Sequence, residues 1–198
     1  MLKGQARPGS KVGDGFICSV RAFGGFKMNK LGEKLDFVKN CIKGYYQAGI
    51  VSFGTNDLIS DDFEIWHFMD QLKELLLKFQ TIIECKHVLV LGFMPRAYCR
   101  RACKTSKCLY IHKGHSKKLP IDFNVRVNKV NYGIDNFIRY DTRFKSFKFL
   151  NFCPEINKLG TLSNSFDDFL SLDGLHLSDV GNEILDTWIY QYLSDMTW

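Results

Sequence analysis

The stretch A-G-I-V-S-F-G-T-N-D-L, residues 48–58, decides the architecture. A short apolar run meets Gly54-Thr55-Asn56-Asp57, four turn-forming residues in a row. An apolar run of that length, stopped in that way, reads as a strand buried on both faces, as the strands of parallel sheets are. Downstream, Asp61 stands as an N-cap with Glu64 at the third helical position, the pattern of a capping box. Phe63, Trp66, Met69, Leu72, Leu76, Phe79 and Ile83 follow at helical spacing, which predicts one apolar face. H-V-L-V-L-G-F (87–93) is a second buried strand, closed by Met94-Pro95. Asp122 to Tyr140 reads as a helix with Phe123, Val127, Val130 and Ile134 in phase. F-K-F-L-N-F (147–152) reads as a strand and Val180 to Leu193 as a closing helix. Upstream, Leu31 to Tyr45 carries apolar residues at 31, 35, 38, 41, 42 and 45, a helical spacing. F-I-C-S-V-R-A-F (16–23) reads as a strand that ends in a tight turn at Gly24-Gly25.

Strand and helix therefore alternate four times. That order argues for an α/β layer fold with a parallel sheet and helices on both faces. No repeat, linker or low-complexity tract divides the 198 residues, so a single domain over 1–198 is expected. In such sheets ligands sit beyond the carboxyl ends of the strands. Three elements fall there: Gly24-Gly25, Gly54 to Asp57, and Asp173 with His176 in L-D-G-L-H-L-S-D-V-G-N (172–182). Together they hold most of the parts of acyl transfer. His176 is a base, Asp173 an acid three residues away that can hold its Nδ1–H. Asn56 offers an amide donor, and a backbone N–H at Gly24 or Gly25 offers another to a developing oxyanion. Each element also has a plainer reading, as a capping pair or an ordinary turn.

Composition sets the class. Apolar residues make up 45% and charged residues 24%, which suits a globular chain and not a disordered one. No apolar run reaches the roughly 18 residues that span a bilayer. The first residues lack an apolar h-region, so no signal peptide is expected. Seven cysteines, an odd number, favour reduced thiols in an intracellular setting over a disulfide framework. The net charge of +6 is concentrated: residues 96–118 hold eight Lys or Arg and no acid, and the rest of the chain sums to −2. Such a segment is a solvated loop, or a surface that meets nucleic acid or another anionic ligand. Within it Cys99, Cys103, Cys108 and His112 could in principle hold zinc. Their spacing matches no established zinc pattern, and the surrounding positive charge would repel a dication.

These blocks resemble those of the SGNH (GDSL-type) hydrolase superfamily of esterases and lipases. F-G-T-N-D-L (53–58) looks like the family's third block and D-G-L-H-L-S-D-V-G-N (173–182) like its fifth. R-A-F-G-G-F-K-M-N-K-L (21–31) resembles the segment around the oxyanion glycine. F-N-V-R-V-N-K-V-N (123–131) resembles the helix between the third and fifth blocks. The resemblance covers about residues 16–195. It implies a flavodoxin-like sheet, hydrolysis of a small ester through a serine acyl-enzyme, and neither metal nor cofactor. It carries His176 over as base, Asp173 as its partner, and Asn56 and Gly25 as oxyanion donors, with Gly24 the alternative to Gly25.

The family's serine block has no counterpart. G-D-G-F (13–16) has glycine where serine would stand. Gly9-Ser10 follows M-L-K-G-Q-A-R-P, which is no buried strand, and Ser19 lies inside the expected strand. Ser10 is the first serine to examine. The family's first, central strand is missing with it, which would leave buried backbone groups unpaired. Three explanations are expected to compete: a start downstream of the true one, a degenerate member with a rearranged sheet and no catalysis, or a partner chain that completes the sheet. The first two stand level. The rival to an esterase is a non-catalytic binding module on the same fold, holding an anionic ligand or nucleic acid in the cleft or on the 96–118 loop.

Overall fold

The computed structural model describes residues 10–12, 16–18, 27–41, 44–96, 122–151, 170 and 176–196. Two compact units share the chain. One comprises residues 25–95 and 120–157, the other residues 1–24, 96–119 and 158–198.

The first unit is built on the parallel sheet that the 48–58 stretch predicts. Its strands are β3 (Tyr46–Val51), β4 (Cys85–Leu91) and β5 (Phe147–Leu150), in the order β3-β4-β5. Val51 lies opposite Val90, and Leu91 opposite Leu150. The central strand β4 is buried from Val88 to Leu91, as a strand covered on both faces must be. Helix α1 (Leu31–Cys41) precedes β3, α2 (Ile65–Ile83) joins β3 to β4, and α3 (Phe123–Tyr140) joins β4 to β5. Parallel neighbours need crossovers of this kind. Helix α2 buries Phe68, Met69, Leu72, Leu76 and Ile83, while α3 buries Phe123, Val127, Val130, Ile134 and Phe137. Phe144 stacks between Phe137 and Phe147, at 4.7 and 4.9 Å. The expected α/β class with a parallel sheet is therefore the observed one.

Local boundaries differ from the expected ones for local reasons. No capping box forms at Asp61. Asp62 accepts a hydrogen bond from the Ser60 hydroxyl, Phe63 N–H donates to Ser60 O at 3.2 Å, and Glu64 is extended. These contacts hold a turn, so α2 starts at Ile65; Trp66, in its first turn, is 77% exposed and outside the core. Helix α1 is described as far as Cys41 and does not reach Tyr45. Gly44, at φ 101°, reverses the chain into β3 and Tyr45 points to solvent. At the other end of α2, a single residue separates helix from strand. Glu84 takes the left-handed conformation, and its N–H donates to Gln80 O.

In the second unit, β1 (Ser10–Val12) and β2 (Phe16–Cys18) pair antiparallel, with Lys11 opposite Ile17. The strand expected over 16–23 is thus described only over 16–18, and its partner is a hairpin neighbour and not a member of the parallel sheet. The intervening Gly13-Asp14-Gly15 has the length and composition of a hairpin connection. Helix α4 (Asp179–Ser194) buries Leu185, Ile189 and Leu193.

Gly49 sets how closely α2 approaches the sheet. A Cβ there would lie 2.5 Å from a Phe79 ring carbon and 3.0 Å from Cys85 Sγ. Gly49→Ala is expected to destabilise by about 1–3 kcal/mol, the usual cost of overpacking. Thermal melts of the two proteins would check it, and an unchanged Tm would show that Phe79 swings aside freely.

Candidate functional site

The carboxyl end of β3 carries a tightly held turn. Gly54 sits at φ 98°, and a side chain there would meet the Phe68 ring at 3.1 Å and Met28 Sδ at 3.3 Å. Both geometry and space demand glycine. Asp57 N–H donates to Gly54 O at 3.0 Å, and a 3₁₀ turn follows over Asp57–Ile59. Asn56 occupies the N-cap position of that turn and is half-buried; its side chain does not cap the turn.

The Asp57 carboxylate reaches across to a second segment. It accepts the Met28 N–H, at 3.1 and 3.3 Å from its two oxygens. Met28 opens the 3₁₀ turn that leads into α1, a few residues after Gly24-Gly25. Burial pushes the Asp57 carboxyl above its ordinary value of 3.8, opposed by the Met28 hydrogen bond and the Lys27 charge.

Helix α3 holds the turn from the other side. Arg126 Nη1 donates to Leu58 O at 3.1 Å and Ser60 O at 2.7 Å, and its Nε donates to Asp122 at 2.9 Å. The guanidinium lies over the Phe63 ring, 5.1 Å from its centroid. Leu58, between the two carbonyls, is fully buried. One helical turn on, Asn131 fixes the carboxyl end of β4. Its Oδ1 accepts Phe93 N–H at 2.8 Å and its Nδ2 donates to Phe93 O at 3.0 Å. A groove of about 700 Å³ runs between α3 and β5, floored by Phe149 and Leu150 with Tyr132 at its rim. Of its polar side chains, Asn131 is engaged with Phe93 and Arg139 with Asp135 at 2.9 Å.

His176, in the other unit, is half-buried and precedes Leu177, which bridges Leu170. Ser178 caps α4, its Oγ accepting Gly181 N–H at 3.0 Å. His176 thus stands two residues ahead of a capped helix, where the sequence put it. Asn56 and His176 belong to different units, and each is fixed within its own. Asp173, Gly24 and Gly25 lie outside the described residues, as do Cys99, Cys103, Cys108 and His112. Ser10 begins β1, opposite Cys18. Among the described residues no cluster of His, Cys, Asp or Glu is placed to hold a metal, and no helix is long and apolar enough to cross a membrane.

Three residues without a role in the sequence reading prove structural to the site: Asp57, Arg126 and Asn131. For Asn131 a signal existed. It falls at the buried phase of α3, between Val127 and Ile134, and a polar residue there requires a partner. Arg126 gave none, because its partners are carbonyls 66 and 68 residues away.

No family model and no curated protein matches the chain. Solved structures do match. A protein from Streptococcus pneumonia provisionally described as a platelet activating factor superimposes with a TM-score of 0.58 at 18% identity, over 85% of this chain and 69% of that one. A peptidoglycan O-acetylesterase gives a TM-score of 0.45 at 14% identity, over 76% of this chain and 39% of that one, too weak a likeness to argue from. The first likeness shows the fold alone, an α/β architecture with helices packed on a parallel sheet.

Two outcomes are expected at this site. Asn131→Leu keeps the volume but strands the Phe93 N–H and C=O, and should cost about 2–4 kcal/mol in denaturant unfolding; a loss below about 0.5 kcal/mol would show that water replaces the amide. The raised Asp57 carboxyl contributes stability that is present below pH 3.8 and is lost as pH rises through its folded pKa. Asp57→Asn removes that titration. The stability of the natural protein relative to Asp57→Asn should therefore fall as pH rises from 3 to 6, and a rise would overturn the assignment.

Proposed function

We propose that the chain is an SGNH-type hydrolase domain that cleaves a small carboxylic or acetyl ester by acyl transfer. The observation that carries the reading is the β3 turn. Asn56 stands at the carboxyl end of a parallel strand, and the next carboxylate, Asp57, holds the backbone just after Gly24-Gly25. Asn56 thus stands beside a carboxylate that is tied to Met28, three residues after Gly25 in the sequence.

In this reading a nucleophilic hydroxyl attacks the ester carbonyl while His176 takes its proton. Asp173 holds His176 Nδ1–H and stabilises the imidazolium. The oxyanion accepts from the Asn56 amide and the Gly25 N–H, with Gly24 as the alternative. The carbon–oxygen bond to the alcohol breaks and the alcohol leaves with the proton from His176. Water then repeats the sequence on the acyl-enzyme and restores the hydroxyl. Ser10 is the first candidate nucleophile. No step draws on a metal or cofactor.

Fluorophosphonate labelling, with the adduct mapped by mass spectrometry, tests this. A single serine adduct is expected, lost in His176→Ala and slowed about 10²–10³-fold in Asn56→Ala. Absence of an adduct on a folded chain would overturn the esterase reading. The chain would then be a non-catalytic module on the same fold, with binding of an anionic ligand at residues 96–118 the next test. A steep loss of nucleic-acid binding with added salt would support the nucleic-acid version of that reading.

A further inference from the structure

We infer that Arg126 is the positioning residue for the oxyanion donor Asn56, an inference that rests on the function proposed above. The guanidinium joins α3 to the turn following Asn56 through two carbonyls, Leu58 O and Ser60 O. Its own orientation is fixed in two further directions, by the Asp122 carboxylate on Nε and by the Phe63 ring beneath its plane. The side chain is only 15% exposed. A guanidinium so held cannot shift without shifting the carbonyls it grips. The opposite side of the turn is held by Asp57 on Met28 N–H. Asn56 lies between Gly54, whose backbone only glycine adopts freely, and these two grips. All of them act on the backbone, and none uses the Asn56 side chain. The backbone that carries the amide is therefore fixed, the condition for an oxyanion donor that must not reorganise during reaction.

The geometry is specific to arginine. Two carbonyls, a carboxylate and an aromatic face are satisfied by one planar, multiply donating cation. A lysine ammonium reaches the carbonyls but neither stacks on Phe63 nor holds a plane.

The test uses hydrolysis of p-nitrophenyl acetate by the full chain. Arg126→Ala is expected to lower kcat about 10²-fold, the effect of an ångström of misplacement, with KM within twofold. Guanidinium ion at millimolar concentration should restore part of that kcat, which a protein weakened only in stability would not show. Arg126→Lys should fall between, with a Tm close to that of the natural protein. Amide hydrogen exchange should speed up at residues 56–60 in both variants while β4 stays protected. An active natural protein whose Arg126→Lys variant keeps full kcat and unchanged exchange at 56–60 overturns the role. Loss of kcat without guanidinium rescue or local exchange also overturns it. A folded natural protein that neither hydrolyses the ester nor takes a fluorophosphonate label overturns the esterase reading itself, and the positioning role with it.

Discussion

The hydrogen bond from Met28 N–H to the Asp57 carboxylate organises the structure around it. A strand of a parallel sheet must end somewhere, and its last residues carry polar backbone groups into a region without neighbouring strands. The turn after β3 meets that demand with Gly54 O, Asp57 and the carbonyls of Leu58 and Ser60, each with a partner from within the same unit. A carboxylate that accepts a backbone N–H at the start of a helical segment also complements the dipole there. One contact thus joins the end of β3 to the chain entering α1, two segments 29 residues apart.

Behind the turn, the sheet is shaped by close approach. Gly49 admits the Phe79 ring against β3, and the paired residue on β4 is Val88, itself fully buried. Gln80, one residue beyond Phe79, donates to Ser146 Oγ at 2.6 Å ahead of β5. The last turns of α2 therefore touch both outer strands while the helix covers the centre. The carboxyl ends of β3 and β4 then stand in fixed relation, one pinned by Asp57 and Arg126, the other by Asn131.

Much of this was legible in the sequence. The alternating apolar runs and helical phases gave the α/β order because β4 and α3 have unbroken patterns that only burial explains. The G-T-N-D block was legible because four turn formers after a buried run leave few alternatives. Helix starts were less so. Asp61 and Glu64 match a capping box, but Ser60 and Asp62 close a competing turn, and local side-chain bonds of that kind displace caps. Trp66 falls within the helix but at its exposed first turn, which apolar spacing alone does not reveal. The Arg126 grip was illegible because nothing in a sequence reports which carbonyls face a guanidinium after folding. The hairpin of β1 and β2 was missed because Phe16 to Phe23 has strand composition whichever partner it takes.

The same grips explain how this fold carries the long segment between β4 and α3. Phe93 is tied through both its backbone groups to Asn131, and Asp122 and Arg126 anchor the first turn of α3. The connection therefore leaves and returns at points fixed from within the unit. Closing a longer loop between fixed points costs little, because the entropy of closure grows only with the logarithm of length. The contacts that hold the ends of β3 and β4 all lie within residues 25–95 and 120–157. Asp57 and Arg126 thus set the turn after β3, and Asn131 sets the carboxyl end of β4, each through contacts within one unit.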